Sequence, residues 1–310
     1  MLDQIRGLHH VTSMSRDGNE NNHFFTDTLG LRRVKKTVNF DEPSVYHLYY
    51  GDEVGTPGSV MTYFPFPHII RGRPGTGEVG ETAFSVPEGS LSFWKERFAE
   101  KGVGGVMAEE AFGENRLRFT AVDGDSFALV ESRGDERAPW TGGAVAGDEA
   151  IRGFAGAKLR LGDSGATEEL LKFMGYEHAD TSKGIKRFVI PGGNGADVID
   201  LQTLPNMPRG DLGAGSVHHI AFAVDDREAQ KAVRQALLDT GYQVTPVIDR
   251  DYFFAIYFRT PGGVLFEIAT NEPGFDKDED TAHLGEALKL PTQHEHRRAW
   301  LETHLPEIED

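Results

Sequence analysis

The chain has 310 residues, with 32 Lys and Arg against 49 Asp and Glu, which gives a formal net charge of −17. This length predicts about two domains, and the acidic balance disfavours nucleic-acid and membrane-surface binding because phosphates and anionic lipids are repelled. The chain contains no cysteine, which excludes disulfides, thiolate nucleophiles, iron–sulfur clusters and thiolate zinc sites. Any metal must therefore be held by His and carboxylate ligands.

The N-terminal stretch MLDQIRGLHHVTSM lacks the continuous apolar segment of a secretory signal. No run of about 18 apolar residues, the length needed for a spanning helix, occurs in the chain. The sequence therefore predicts a cytoplasmic protein with no membrane partner. The oligomeric state stays open, a homo-oligomer included.

Four similar units follow one another along the chain. They begin with the strand-like runs LHHVTSM, GETAFSV, FAGAKLRL and VHHIAFAV, and each run precedes an amphipathic helical stretch. The helical stretches end at Gly30, Gly102, Gly175 and Gly241, and glycine is the usual residue just past a helix because it adopts positive φ without a Cβ penalty. Two extended stretches, a tight turn and a final apolar strand complete each unit. The repeated unit is therefore a β-α-β-β-β module.

A single module of this kind leaves a bare concave face, so the modules must pair. We predict an α+β fold in which four βαβββ modules form two curved-sheet half-barrels. Along the chain, residues 1–140 hold modules 1 and 2, residues 148–275 hold modules 3 and 4, and residues 276–310 form a C-terminal extension. A Gly-, Pro- and charge-rich linker, Arg133 to Gly147, separates the two sequence halves.

The first and last strands of each module offer positions for metal ligands. The first-strand positions are His10, Thr82, Gly156 and His219, and the last-strand positions are Tyr63, Leu129, Asp200 and Glu267. If module 1 pairs with module 4, His10, His219 and Glu267 form the two-His-one-carboxylate set of non-haem Fe(II) oxygenases, with Tyr63 in the fourth place. If modules pair in chain order, Asp200 replaces His10. We favour the crossed pairing of 1 with 4 and 2 with 3, because it explains both HH pairs.

The neighbours of the two histidine ligands follow from strand alternation. Thr12 is expected on the face of His10, whereas His9 and His218 are expected on the opposite face. A packed or supporting role for His9 and His218 is therefore at least as well founded as a direct catalytic one.

The four modules, the LHHVT and VHHIAF starts and the ending YFRTPGGVLFEIAT resemble the vicinal oxygen chelate superfamily of glyoxalases, antibiotic-resistance proteins and extradiol dioxygenases. Within it, the chain is most similar to the ring-cleaving dioxygenases of para-hydroquinones, over essentially its full length. The resemblance implies Fe(II), or Mn(II) in its place, with a small aromatic substrate and O2 as partners. It also implies that Tyr257 donates a proton to a substrate oxygen and that Arg250 orients the surrounding groups.

Two other functions compete with hydroquinone or catechol ring cleavage. A glyoxalase-type isomerase or lyase is expected to have a carboxylate in the place that Tyr63 occupies here. A non-catalytic drug-binding resistance protein does not need the His10, His219 and Glu267 set. Tyr257 and Arg250 each also have an alternative without a catalytic role. In it, Tyr257 is a half-buried aromatic residue of a strand, and Arg250 is an ordinary charged residue of a loop.

Overall fold

The computed structural model describes residues 1–145 and 147–309 and contains the four predicted modules. Module 1 consists of β1 (Ile5–Ser15), α1 (Gly18–His23) with a π-helical continuation (Phe24–Thr28), β2 (Arg32–Val38), β3 (Tyr46–Gly51) and β4 (Val60–Pro65). Module 2 consists of β5 (Glu78–Pro87), α2 (Leu91–Glu100), β6 (Gly104–Ala111), β7 (Glu114–Thr120) and β8 (Ser126–Ser132).

The second half of the chain repeats this order of elements. Module 3 consists of β9 (Gly153–Leu161), α3 (Gly165–Phe173), β10 (Glu177–Ser182), β11 (Ile185–Val189) and β12 (Val198–Thr203). Module 4 consists of β13 (Val217–Val224), α4 (Arg227–Asp239), β14 (Ile248–Asp249), β15 (Phe253–Arg259) and β16 (Leu265–Pro273), and α5 (Arg298–His304) lies in the extension. No helix in the described ranges is long and apolar enough to cross a membrane.

Two eight-stranded sheets are built from crossed pairs of modules. The first sheet has the order β14-β15-β16-β13-β1-β4-β3-β2, which joins module 1 to module 4. The second sheet has the order β10-β11-β12-β9-β5-β8-β7-β6, which joins module 2 to module 3. The first strands of the paired modules are antiparallel neighbours at the centre of each sheet. The predicted α+β fold and crossed pairing are confirmed, and each sequence half gives one module to each sheet.

The helices follow the sequence signals at both ends, as α4 illustrates. The Asp226 side chain caps the start by accepting a hydrogen bond from the backbone N–H of Ala229 at 2.9 Å. The helix stops before Gly241, whose φ of 90° suits glycine. Val233 and Leu237 are fully buried in the main core. The helix therefore covers the back of its sheet and leaves the opposite face for a site.

The C-terminal extension packs along the edge of the first sheet. The backbone N–H of Lys289 donates to the carbonyl of Lys36 on β2 at 2.9 Å. The ammonium of Lys35, which is fully buried, contacts Asp278 at 2.6 Å and also contacts Glu279. Gln293 Nε2 donates to the carbonyl of Phe40 at 2.8 Å, so the extension also holds the loop between β2 and β3. Asp310 lies outside the described residues.

A buried carboxyl group joins the two sheets. Asp125, just before β8 of the second sheet, accepts hydrogen bonds from Ser13 on β1 and from the Tyr63 hydroxyl on β4, the latter at 3.0 Å. One of its oxygens, Oδ2, is buried without a hydrogen-bond partner. Burial raises the pKa of Asp125 from 3.8 to about 6, although the two donors oppose this shift.

We predict that Asp125 makes the protein lose stability as the pH rises from about 4 to about 6. The raised pKa means that the folded state binds the proton more tightly than the unfolded chain does, so the stabilisation disappears as the carboxyl ionises. The difference in unfolding free energy between Asp125→Asn and the wild type should shift by about 2 kcal/mol in favour of the variant between pH 4.5 and pH 7.5, measured by urea unfolding. The exposed Asp148→Asn control should show no such gain, and an equal change in both variants would contradict the prediction.

Candidate metal centre and active site

Two histidines and one glutamate converge at the centre of the first sheet. Glu267 Oε2 lies 3.3 Å from His10 Nε2 and 2.9 Å from His219 Nε2, and the two Nε2 atoms are 3.4 Å apart. All three residues are buried, and this is the one group of three or more His, Asp or Glu side chains in the described ranges whose geometry suits a metal. The strands β1, β13 and β16 are neighbours, which brings residues 10, 219 and 267 together.

The surroundings of Glu267 fit a bound cation. Its side chain is fully buried, and neither carboxylate oxygen has a hydrogen-bond donor among the residues that the structure describes. Burial alone would raise the pKa of the Glu267 carboxyl, but charge interactions with His10 and His219 outweigh it and hold the pKa well below its ordinary value. A buried carboxylate without a donor is costly. A divalent ion coordinated by these oxygens and two imidazole nitrogens would remove that cost.

A β-bulge in each central strand changes the orientation expected for His9 and His218. Leu8 and His10 face the consecutive residues Phe222 and Ala221, so His9 is an extra residue in β1; His218 is the extra residue in β13. The expectation that these histidines point to the opposite face is wrong, because a bulge interrupts strand alternation. His9 Nδ1 instead lies 2.9 Å from His10 Nδ1, and His218 Nδ1 lies 2.8 Å from His219 Nδ1.

The contacts of His9 define the tautomer of His10. Burial, together with the nearby His10, lowers the pKa of His9 to about 3, so its ring is neutral. His9 Nε2 faces the carbonyl of Thr270 at 3.2 Å, and a carbonyl can only accept, so Nε2 carries the hydrogen. His9 Nδ1 is then an acceptor for the Nδ1–H of His10. The Nε2 lone pair of His10 is thereby directed at the metal position.

His218 is related to His9 by the approximate twofold symmetry of the sheet but has a different environment. Its Nδ1 contacts His219 in the same way, whereas its Nε2 has no partner among the described residues and the ring lines the cavity beside the ligands. Burial, with His219 nearby, lowers the pKa of His218 to about 4, so this ring is also neutral. If His219 presents Nε2 to a metal, His218 carries its hydrogen on Nε2 and can donate it into the cavity.

The fourth ligand position contains Thr62, and the placement of Tyr63 there is wrong by one residue. In module 4, Glu267 pairs with Ala221, which is two residues after His219. In module 1, the residue two after His10 is Thr12, and Thr12 pairs with Thr62. A one-residue shift moves a side chain to the other face of a strand. Tyr63 therefore points away from the metal ligands and bonds Asp125, whereas Thr62 faces them and donates to Thr12 at 2.8 Å.

The second sheet has no comparable metal centre in its described residues. The strand pairs that correspond to those of the first sheet place Glu81, Gly156, Ala128 and Asp200 at its ligand positions. The expected positions Thr82 and Leu129 are therefore each wrong by one residue. Three cations neutralise Glu81: Arg116 at 2.9 Å, Arg118 at 2.8 Å and Lys158 at 3.0 Å. Asp200 forms a bidentate ion pair with Arg187 at 2.9 and 3.0 Å. Both carboxylates are thus already compensated.

Tyr257 and Arg250 lie on the module 4 side of the site. Arg250 Nε donates to the Tyr257 hydroxyl at 3.2 Å, and the Tyr257 ring centre lies 5.8 Å from that of His219. Burial raises the pKa of Tyr257 well above 10, with the nearby Glu267 carboxylate adding to the shift. Tyr257 is therefore a neutral phenol at any physiological pH. Arg250 also lies 3.5 Å from Asp41 of the loop between β2 and β3.

A cavity of about 450 Å³ opens over these residues, a size typical of small-molecule sites. Its walls are rich in aromatic rings, including Phe40, Phe64, Phe66 and Phe253. His47 and Tyr49, which were not among the residues expected from the sequence, also line the cavity. Their spacing of two residues within YHLYYG indicates a shared face of β3, and this is the signal that could have identified them.

Comparisons with known proteins agree with this architecture. A family model described as the Glyoxalase/Bleomycin resistance protein/Dioxygenase superfamily matches residues 154–268. MhqO of Bacillus subtilis strain 168, described as a candidate ring-cleaving dioxygenase, is 42% identical over 98% of this chain and 97% of its own length. The crystal structure of a candidate dioxygenase from the same organism has a TM-score of 0.95 at 42% identity, covering 99% of this chain and 98% of that one.

This chain belongs to the ring-cleaving dioxygenases of the glyoxalase superfamily. A relative from Sphingobium indicum named chlorohydroquinone/hydroquinone 1,2-dioxygenase is 34% identical over 94% of this chain and 93% of its own length. Glyoxalase I from Zea mays has a TM-score of 0.63 at 16% identity, covering 86% of this chain and 92% of that one. This last likeness supports the fold alone.

We predict that a divalent metal stabilises the apoprotein only when Glu267 is intact. With a metal present at about 100 times its Kd, linkage gives a gain of about 2.7 kcal/mol in unfolding free energy, and Glu267→Gln should abolish it. The measurement is the thermal unfolding midpoint with and without anaerobic Fe(II) or Mn(II). Asp200→Asn is the matched control, since Asp200 holds the corresponding position of the second sheet and should leave the metal-induced shift intact. Loss of the shift in the control would contradict the assignment.

Proposed function

We propose that this protein is an Fe(II)-dependent, extradiol-type dioxygenase that inserts O2 into a hydroquinone or catechol ring and opens it. The observation that carries the proposal is the set of His10, His219 and the donor-free carboxylate of Glu267 beside an aromatic-lined cavity. Two imidazoles and one carboxylate are typical of non-haem Fe(II) oxygenases, and Mn(II) is the alternative because its ligand preferences overlap. The name of the Sphingobium indicum relative supports hydroquinone as the substrate.

Fe(II), when bound, would supply the one-electron chemistry that lets triplet O2 react with a singlet aromatic ring. The protein's own residues would hold the ion, orient the substrate and donate a proton to it. His9 presents the His10 lone pair to the ion, as its contacts with His10 and the Thr270 carbonyl indicate. Tyr257, whose oxygen accepts from Arg250, would donate its own hydrogen to a substrate oxygen bound beside Glu267. His218 offers a second donor from the cavity wall.

Two competing functions are less well supported. A glyoxalase-type isomerase is expected to have a fourth, proton-moving carboxylate, and the corresponding position is occupied by the neutral Thr62. A drug-binding resistance protein would not need a buried carboxylate without a hydrogen-bond donor.

The test of the proposal is O2 consumption. The protein is loaded with Fe(II) without oxygen and then mixed with O2 and hydroquinone, methylhydroquinone or catechol. We expect one O2 consumed per ring opened, and none with His10→Ala, which lacks one ligand. No uptake with any of the three, together with turnover of a thiol hemiacetal, would replace the dioxygenase with the isomerase.

We further predict that Tyr257→Phe lowers kcat about a hundredfold, the usual contribution of a positioned proton donor. The variant loses only the hydroxyl, so its metal content should match the wild type. Tyr242→Phe is the control, because Tyr242 packs against Phe258 and does not line the cavity. An unchanged kcat in Tyr257→Phe would remove Tyr257 from the reaction.

A further inference from the structure

Tyr49 occupies the position in module 1 that Tyr257 occupies in module 4. Tyr257 on β15 lies opposite Glu267 in the antiparallel register, and Tyr49 on β3 lies opposite Thr62 in the same way. Thr62 is itself the counterpart of Glu267. Two tyrosines related by the approximate twofold symmetry therefore flank the metal position, and both line the cavity.

The two tyrosine hydroxyls have opposite hydrogen-bond polarity. Arg250 can only donate, so the Tyr257 oxygen accepts from its Nε, and the Tyr257 hydrogen is left for an acceptor on the side of the Glu267 carboxylate. Tyr49 lies instead at the end of a buried chain: its hydroxyl is 2.7 Å from His47 Nδ1, and His47 Nε2 is 2.8 Å from the Thr62 hydroxyl. Each tyrosine thus has a different partner, a guanidinium on one side and an imidazole on the other.

The direction of the chain follows from its far end. Thr62 uses its single hydrogen to donate to Thr12 at 2.8 Å. Its oxygen must then accept from His47, which places the His47 hydrogen on Nε2 and makes Nδ1 an acceptor. Burial lowers the pKa of His47 well below 6.5, with His10 nearby adding to the shift, so the ring has no second hydrogen. Tyr49 therefore donates its hydrogen to His47 and offers only its oxygen lone pairs to the cavity.

We infer that Tyr49 is a substrate-binding residue whose phenol oxygen accepts a hydrogen bond from the ring hydroxyl that the metal does not hold. The inference rests on the proposed function and makes it more specific. Tyr257 provides a donor, suited to the deprotonated oxygen of a bound phenol, and Tyr49 provides an acceptor, suited to an intact hydroxyl. This pair complements a ring with one ionised and one protonated oxygen.

This complementarity favours a para-dihydroxybenzene over a catechol. The two adjacent oxygens of a catechol can both reach one metal ion, which leaves no distant hydroxyl for Tyr49. In a hydroquinone only one oxygen can reach the ion, and the other must find an acceptor in the cavity. His47 is the positioning residue in this arrangement, since it determines which way the Tyr49 hydrogen points.

The experiment measures binding without oxygen, so it does not depend on turnover. The Fe(II)-loaded protein is titrated anaerobically with hydroquinone and with phenol, which lacks the second hydroxyl. In Tyr49→Phe, we expect hydroquinone affinity to fall about tenfold, the contribution of one hydrogen bond of 1.4 kcal/mol, and phenol affinity to change less than twofold. His47→Leu should reduce the ratio of hydroquinone to phenol affinity at least threefold, because His47 no longer accepts the Tyr49 hydrogen and the Tyr49 hydroxyl is no longer held in one orientation.

Tyr50→Phe is the matched control. Tyr50 is the next residue on β3, is buried on the opposite face against Phe25, and its hydroxyl has no hydrogen-bond partner among the described residues. Its loss should leave the affinity ratio unchanged. The iron content of each variant is also measured. A content equal to that of the wild type shows that a change in affinity comes from substrate binding and not from damage to the metal centre.

The outcomes distinguish this inference from the proposed function. If Tyr49→Phe and His47→Leu keep the wild-type ratio of hydroquinone to phenol affinity, the role of Tyr49 is wrong while the dioxygenase proposal stands. If the wild-type protein does not bind hydroquinone at all, the proposed function and this inference both fail.

Discussion

The carboxylate of Glu267 imposes the main constraint on the first sheet. It is fully buried and has no hydrogen-bond donor among the described residues, and the neighbouring imidazoles of His10 and His219 favour its charge. Such a group is stable only where the surrounding fold holds compensating ligands in place. The central antiparallel pairing of β1 with β13, and the parallel pairing of β13 with β16, keep the three side chains together. The bulges, the paired histidines and the aromatic cavity are all arranged around this point.

The same module, used four times, gives two sheets with different chemistry. In the first sheet the carboxylate at the ligand position lacks donors; in the second, Glu81 and Asp200 are each neutralised by Arg or Lys side chains. Within the first sheet the symmetry is broken again, since Thr62 replaces the second carboxylate and His47 replaces the guanidinium partner of a tyrosine. Repetition of the fold thus provides positions, and the local partner of each side chain decides its role.

Much of the fold could be predicted, because strand runs, helix stops and glycine positions are local signals. The candidate ligand set could also be predicted, since HH at the same register in two modules and a glutamate within VLFEIA stand out in the sequence. The register of β4 and the bulges in β1 and β13 could not be predicted, because an alignment on the turns does not detect a register shift or a β-bulge. For this reason Thr62 and not Tyr63 faces the ligands, and His9 and His218 do not point to the opposite face. His47 and Tyr49 were missed because a His and a Tyr in a strand are common in a packed core.

By itself, the sequence determined that any metal must be held by nitrogen and oxygen ligands, since the chain has no cysteine, and that four β-α-β-β-β modules must pair to bury their faces. It also identified His10, His219 and Glu267 as the residues that only crossed pairing would bring together. The tertiary structure alone decided which carboxylates are neutralised by ion pairs, which nitrogen of each histidine carries its hydrogen, and which way the two tyrosine hydroxyls point. Several of these properties depend on contacts between residues that are far apart in the chain, such as His9 and the carbonyl of Thr270.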